Sequence, residues 1–429
     1  MKNKETRRKF IKKAGAAAIF SAGSFQAPMA FANELARGKK RKVKVGLVGC
    51  GGRGTGAAVQ ALNADPDVVL HAMADAFEDR LTSSLGLLKK AHGGRIEVDK
   101  ARQFIGFDAY QKLIDSGVDV VLLASPPGFR PKHLEAAIDA GKHVFYEKPV
   151  AVDAPGVRKV LEAAKKAKAK NLSMVSGFCF RYDLQKQALY GKVLDGAIGD
   201  IKSISSTRNG GELWYKERQP GWTDMEYQLR NWYYQNWLSG DFIVEMFVHS
   251  LDMITWALGE KTPIAATATG GRQWRTDKKY GNIYDHFAME YDYADGTKGF
   301  CFTRQQRGGS TKNGVEIQGS LGNAYYEGSR HEITGKNPWK YGGEVNDMYQ
   351  SEHDALFKSI REGAAINDGE MSAKSTLMGI MGRMAAYTGQ TITWDDALNS
   401  TEVLGPDAYD WNLKFKGPDI AVPGKTKFI

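Results

Sequence analysis

A glycine-rich turn set between a short apolar run and a helical run constrains this chain more than any other feature. Val43–Val48 reads as a strand, Gly49-Cys50-Gly51-Gly52-Arg53-Gly54 matches G-x-G-x-x-G, and Ala57–Leu62 begins a helix. In that setting the first glycine allows a tight turn and the second lets the backbone approach a pyrophosphate. The third permits close helix–strand packing, and the helix N-terminus meets the negative charge. Gly49, Gly51, Gly52, Arg53 and Gly54 are therefore the expected dinucleotide cradle. Asp75 closes the next apolar run, Val68–Ala74, 21 residues after Gly54. A carboxylate there accepts hydrogen bonds from ribose hydroxyls and repels a 2′-phosphate, which favours NAD over NADP. Arg80, just beyond it, belongs to the same expected cofactor set.

The alternation continues. Ala109–Ser116 reads as a helix, Val118–Ala124 as a strand, Pro131–Ala140 as a helix and His143–Tyr146 as a strand, followed by the helical Asp153–Lys168 and the strand Ser173–Phe180. Strand–helix alternation predicts a parallel sheet covered on both faces. Beyond Tyr182 the texture changes, with six of the nine tryptophans between Trp214 and Trp274. Phe287–Tyr293, Gly299–Gln305 and Gly314–Gln318 alternate as antiparallel strands do, with Asp295-Gly296 and Asn313-Gly314 as expected hairpin turns. Gln350–Arg361 and Ala373–Tyr387 read as amphipathic helices packing back on the first domain.

The net charge of +10 raises the question of a nucleic-acid partner. Residues 1–32 hold seven Lys/Arg against Glu5, and 33–42 hold five against Glu34, so the remainder is neutral. A basic groove needs excess charge in the folded body, and nucleic acid is therefore disfavoured. The basic start instead reads as an export signal: Arg7-Arg8-Lys9-Phe10, then Ala14–Ala18, then Ala30-Phe31-Ala32 as a small-x-small cleavage site. It fits a twin-arginine leader and a periplasmic or otherwise exported protein. No segment approaches the ~20 apolar residues of a stable membrane span. Cys50, Cys179 and Cys301 read as small buried side chains rather than a disulfide framework.

Two further constellations carry chemistry. Tyr146-Glu147-Lys148-Pro149 follows a strand directly. Ligands of open α/β sheets sit beyond the carboxyl ends of strands, so Lys148 is expected at the reacting end of the cofactor, with Glu147 beside it. A lysine there hydrogen-bonds a reacting hydroxyl. The second is Asp241–Gly259, an almost wholly apolar helical run whose Glu245, His249 and Asp252 fall at i, i+4 and i+7. Buried ionisable groups are costly unless paired or facing a polar cavity. The stripe therefore points to a site, although a satisfied buried His–carboxylate pair or a partial metal site has the same pattern. No His-Glu-x-x-His or third ligand supports a metal. His249 is the natural proton carrier near neutral pH.

The order strand–GxGxxG, SPPGFRPKH, AGKHVFYEKP and then an acid–x3–His–x2–Asp helix resembles the Gfo/Idh/MocA oxidoreductases, from Lys42 to Ser400. The resemblance implies an α/β Rossmann domain followed by an α+β domain with an open, mainly antiparallel sheet that often forms an oligomer interface. It also implies NAD(P)-dependent chemistry on sugars or polyols. By position, Lys148 and His249 match the family's catalytic residues, and Arg181 a residue near nicotinamide and substrate. Ser125, Pro126, Pro127 and His133 match the segment bordering the cofactor. Glu245 stands where family dehydrogenases usually have Asp; its longer arm is expected to orient the acid–base pair. Tyr182, Trp232, Asp252 and His286 complete the expected substrate set, the tryptophan-rich stretch serving either as sugar-stacking platforms or as core.

The expected divisions are 1–32 export signal, 33–42 basic linker, 43–181 cofactor domain, 182–349 sheet domain, 350–400 closing helices and 401–429 tail. Export sharpens the expectation. Free nicotinamide cofactor is scarce outside the cytoplasm, so an exported enzyme has to keep NAD tightly bound and reset it in place. The leading expectation is an oxidoreductase acting on a sugar, glycoside or polyol hydroxyl, assembled as a homodimer or homotetramer. A redox-neutral glycosidase or epimerase using transient oxidation is the first alternative, and a non-catalytic sugar or cofactor sensor the second.

Overall fold

The computed structural model describes residues 41–429; the expected leader and most of the basic linker lie outside them. Strands β1 (Val43–Val48), β2 (Val68–Asp75), β3 (Gln103–Ile105), β4 (Val120–Leu123), β5 (His143–Tyr146) and β6 (Met174–Ser176) form an all-parallel sheet in the order β3-β2-β1-β4-β5-β6. The crossovers are α1 (Gly52–Ala64), α2 (Glu78–His92), α3 (Ala109–Asp115), α4 (Arg130–Asp139) and α5 (Ala154–Ala169). Strands β1, β2, β4 and β5 are apolar almost throughout because helices cover both faces. The order reverses between β1 and β4, which opens a crevice at their carboxyl ends.

A short helix α6 (Leu184–Leu194) leads to a second sheet. It contains β7 (Ile201–Gly210), β8 (Ala265–Gly271), β9 (His286–Asp292), β10 (Lys298–Gln305), β11 (Lys312–Gly319), β12 (Gly322–Glu327), β13 (Arg330–Gly335), β14 (Trp339–Lys340) and β15 (Ile392–Thr393). Their order is β14-β13-β12-β11-β7-β10-β9-β8-β15, antiparallel except for the β7–β10 pair. The Asp295-Gly296 turn joins β9 to β10 as expected. Asn313-Gly314 does not turn: both residues lie inside β11, where a side chain at Gly314 would press on the Tyr326 carbonyl of β12. The signal for a hairpin was read from a glycine that the ladder needs for close approach.

Between β7 and β8 the chain forms α7 (Asp224–Arg230), α8 (Asn236–Ser239), α9 (Phe242–Glu245) and α10 (Val248–Ala257). The single helix expected over Asp241–Gly259 is thus broken. Met246 and Phe247 both donate their backbone N–H to the Phe242 carbonyl, at 2.9 and 3.1 Å, and this widened turn separates α9 from α10.

The last helices are α11 (Met348–Glu362), α12 (Gly369–Thr388) and α13 (Trp394–Asn399). Helix α11 packs on α1 and places Leu356, Phe357 and Ile360 in the core built from β1 and β2. Helix α12 is buried around its whole circumference rather than amphipathic, because it is sandwiched between the two sheets. The three cysteines are all buried and free. Among the described residues, no helix is long and apolar enough to cross a membrane.

Candidate functional site

The glycine turn sits in the crevice where the strand order reverses. Gly49 adopts φ +95°, a conformation that side chains resist. A Cβ on Gly54 would overlap the Gly49 carbonyl oxygen, whereas Cβ atoms on Gly51 or Gly52 would meet nothing within 4 Å. The turn is therefore tight behind and bare in front. Asp75 fixes its shape: Oδ2 accepts from the Cys50 N–H at 2.6 Å and Oδ1 from the Phe77 N–H at 2.9 Å. Burial raises the Asp75 pKa, and those two N–H groups oppose the rise.

In front of the turn lies a cavity of about 640 Å³. Gly49, Gly51, Gly52, Arg53, Gly54, Asp75, Arg80, Ser125, Pro126 and His133, expected at the cofactor, line it, and so does Trp232, expected at the substrate. His133 stacks on Tyr110 at 4.0 Å and meets the Ser125 hydroxyl at 3.2 Å. Burial, reinforced by Arg130, pushes its pKa down to about 3, so the ring is neutral. The volume, the bare glycine backbone and the helix N-terminus fit a dinucleotide.

Some expected residues serve that pocket indirectly. Arg53 contributes backbone and a flank, but its guanidinium is committed to Glu147 and, at 3.1 Å, to Glu352. Glu147 is consumed by that pairing, and neither it nor Pro127 lines the cavity. Arg130, which the sequence reading missed, is fully buried and donates to the carbonyls of Ser125 and Pro149. It thereby ties the β4 loop to the β5 loop.

The β5 loop brings Lys148 to α9. Its Nζ donates to the Glu245 carbonyl and to Glu245 Oε1, the latter at 3.1 Å. His249 opens α10 close by, 8% exposed, its ring 4.7 Å from Phe180 and 5.9 Å from Phe178. Its Nδ1 is buried without a hydrogen-bond partner. Burial first, then the charges of Lys148, Arg208 and Lys186, hold its pKa well below the ordinary value, so the imidazole is neutral. The structure thus groups Lys148, Glu245 and His249, three residues separated by up to 101 positions in the chain. A neutral imidazole beside a lysine–carboxylate pair can accept a proton and pass it on.

Four expected substrate residues are placed elsewhere. Arg181 makes a two-point pair with Asp252 at 2.8 and 2.9 Å and a second pair with Glu260 at 2.7 Å, lying over the Trp256 ring. Burial opposes its charge, yet Asp252 and Glu260 raise its pKa above the ordinary value. Asp252 is fully buried and also accepts from Ser375. The i+7 position therefore turned away from Glu245 once the helix broke. Tyr182 donates to Asp368 at 3.0 Å, holding α12 to the first sheet. His286 alternates with the buried Phe287, so it stands on the open face of the second sheet, held by Asp285.

The tryptophan-rich stretch, expected as stacking platforms or as core, supplies the cavity's outer wall, with Lys216, Leu229 and Arg230 unforeseen. Trp214, Tyr215, Lys216, Leu229 and Arg230 line it beside Trp232. Arg230 pairs with Asp79 of α2 through two contacts of 3.1 Å and lies 4.1 Å over Phe77. The tail then crosses outside: Trp411 sits 4.5 Å from Phe107 and 5.5 Å from Phe77, and Tyr409 4.8 Å from Phe129. All three phenylalanines line the cavity. Beyond Phe415 the tail is tied down by Asn282 to the Pro418 carbonyl at 2.7 Å and Tyr284 to the Ala421 carbonyl at 3.0 Å.

Residues 43–175 match the description "Oxidoreductase family, NAD-binding Rossmann fold", and residues 187–325 match "GFO/IDH/MocA C-terminal domain". The chain belongs to the Gfo/Idh/MocA oxidoreductase family. Among its relatives, the inositol 2-dehydrogenase of Rhizobium meliloti is 27% identical over 343 residues, 76% of this chain and 92% of that protein. The myo-inositol 2-dehydrogenase of Thermotoga maritima is 29% identical over 219 residues, 51% of this chain and 56% of that protein. The fold is shared with a solved levoglucosan dehydrogenase in complex with NADH and levoglucosan, at TM-score 0.65 and 19% identity over 82% of this chain and 99% of that one. This Gfo/Idh/MocA member is accordingly an oxidoreductase with an NAD-binding Rossmann domain and a mixed, mostly antiparallel second sheet. Among the described residues, no group of His, Cys, Asp or Glu is arranged to hold a metal ion.

Proposed function

We propose that this protein transfers hydride between NAD and a hydroxyl-bearing carbon of a sugar, glycoside or polyol, and that the cofactor stays bound and is reset in place. The observation that carries the reading is the meeting of Lys148, Glu245 and His249 at the end of β5, one loop away from the dinucleotide cavity. The names of the relatives, inositol dehydrogenases among them, support the substrate class. Asp75 at the ribose end supports NAD over NADP.

A bound nicotinamide supplies the hydride acceptor. The chain's own residues manage the proton. His249, neutral at physiological pH, accepts the hydroxyl proton at a ring nitrogen, while the Lys148 ammonium donates to the substrate oxygen and stabilises its developing negative charge. Glu245 holds that ammonium in place. The segment 214–232 forms one wall of the cavity, and the tail backs Phe77, Phe107 and Phe129 on another.

Enclosure of the cavity by two chain segments supports retention of the cofactor, and the twin-arginine pattern supports export with the cofactor already loaded. The open sheet face, where Phe302 is 46% exposed, supports assembly into a homodimer or homotetramer. The test begins with purified protein folded in the cytoplasm: denaturation releases dinucleotide for identification, and intact protein is screened against free sugars, polyols and glycosides. Absence of bound dinucleotide refutes retention. Replacing Lys148 with Met and His249 with Asn is expected to lower turnover by about 10²-fold or more; full activity in both variants refutes the assignment. Release of aglycone without net absorbance change at 340 nm identifies the redox-neutral chemistry instead.

A further inference from the structure

Arg208 lies on β7 with the same parity as Ile204 and Ser206, both fully buried, so its side chain enters the layer between the second sheet and the helices. That layer contains α10 and His249. The charge of Arg208 helps to push His249 down and opposes the rise that burial causes at Tyr326, so it acts on both groups. It has no ion pair among the described residues, and its Nη1 is buried with no hydrogen-bond partner.

The neighbours do not compensate it. Lys186 lies 4.7 Å over Phe180 and 4.4 Å over Tyr326, but Asp183 neutralises it at 2.7 Å. Lys148 is neutralised by Glu245. One positive charge is left over. Other polar atoms there are also unsatisfied: His249 Nδ1, Ser206 Oγ on the same strand, and His331 Nε2, whose ring is 5.1 Å from Tyr326. Native interiors rarely leave buried donors unpaired, and Arg208 is a half-buried cation whose buried Nη1 is such a donor. Unpartnered atoms on the same side of the sheet as this guanidinium, one of them on the proton-transferring imidazole, mark where a polar, electron-rich ligand belongs.

We propose that Arg208 is an anion subsite of the substrate pocket, so that the preferred sugar carries a negatively charged substituent. A guanidinium fork matches a carboxylate or a phosphate through two parallel hydrogen bonds. Phe180 and Tyr326 give the ring an apolar wall. The anionic group docks on Arg208 while the reacting hydroxyl meets His249 and Lys148. The inference rests on the proposed sugar chemistry of the Lys148–Glu245–His249 site and adds the class of sugar.

The experiment is calorimetric binding to the NAD-loaded full-length protein, with turnover measured in parallel. The probes are glucose, glucuronate and glucose 6-phosphate, and galactose against galacturonate, all at one ionic strength. An anionic sugar is expected to bind at least tenfold more tightly than its neutral counterpart. In Arg208→Gln that ratio is expected to collapse to about one, and in Arg208→Lys to be partly restored, with melting midpoints reported for both. Preference for the uronates assigns a carboxylate, and preference for the 6-phosphate assigns a phosphate. Equal affinity for neutral and anionic sugars, no binding of any probe, or an Arg208→Gln variant that keeps the full ratio overturns the proposal. Turnover of neutral sugars without an acid preference refutes the subsite and leaves the sugar chemistry standing. Acid-selective binding without turnover does the reverse.

Discussion

Replacing Trp411 with Ala tests whether the tail retains the cofactor. Trp411 does not line the dinucleotide cavity; it clamps two residues that do, Phe107 at 4.5 Å and Phe77 at 5.5 Å. Each aromatic pair contributes roughly 0.5–1.5 kcal/mol beyond its buried area, so both together contribute about 1–3 kcal/mol. If the wall formed by Phe77 and Phe107 has to swing outward before the dinucleotide leaves, that energy is part of the barrier to release. At about 1.4 kcal/mol per tenfold, the variant should release cofactor roughly 5- to 150-fold faster. The assay is stopped-flow NADH fluorescence after mixing loaded protein with excess unlabelled NAD. Association should change much less, because an open wall admits the ligand either way. A release rate within twofold of the parent, in protein with an unchanged melting midpoint, refutes a retaining role for the tail. The Asp79–Arg230 pair offers a second check on the same wall, since Arg230→Met removes both the ion pair and its stacking on Phe77.

Three other outcomes follow from the geometry. Burial and three nearby cations keep His249 neutral through the ordinary histidine range, so kcat/KM should show no acid limb centred near pH 6.5; such a limb, absent from His249→Asn, contradicts the environment described. Arg181 and Asp252 are a buried structural pair, and Arg181→Met should lower unfolding free energy by about 3–5 kcal/mol. If instead its KM for substrate rises with stability intact, the residue belongs to the site. Burial pushes His143 down to about 4, below its unfolded value near 6.5, so its contribution to stability is present above pH 6.5 and lost as pH falls. Urea unfolding of His143→Asn should therefore lose less stability between pH 6.5 and 4.5, by about 1.4 kcal/mol per pH unit, and equal slopes refute this.

The Rossmann half was legible because its signals are local. A glycine turn, a strand-end carboxylate and a strand-end lysine each announce themselves within a few residues, and the parallel sheet gives near-continuous apolar runs. The meeting of Lys148 with Glu245 and His249 was also readable, from the strand-end position of the lysine and the polar exceptions in an apolar run. Asp252 was misplaced because that same turn shifts every later residue around the helix axis, a displacement that no apolar pattern records. Arg181 was expected at the site from the family resemblance, with Tyr182 beside it, and no local pattern gives their partners Asp252, Glu260 and Asp368. His286 failed for a reason of parity: strand alternation sends it to the face opposite Phe287. The tail had no signal at all. Its aromatic residues are spaced irregularly, and their partners lie some 170 to 335 positions earlier, so neither period nor local contact marks them.

The first sheet is completed by the end of the chain. Edge strand β6 is flanked by residues 366–368: Met174 donates to the Ile366 carbonyl at 2.8 Å and receives from the Asp368 N–H at 2.9 Å. Arg361 pairs with Asp65 at the end of α1, and α11 fills the adjoining core. A ribosome emitting this chain therefore delivers the cofactor-binding half almost two hundred residues before the segment that seals it. Until then Leu47, Ala57 and Val175 lack part of their covering, and the nascent protein has an unfinished edge to be shielded. Final closure of the fold, and with it a fully formed dinucleotide cavity, is deferred to the last stage of synthesis. Severing the chain after its first 181 residues should yield an aggregating fragment rather than a small dinucleotide-binding domain.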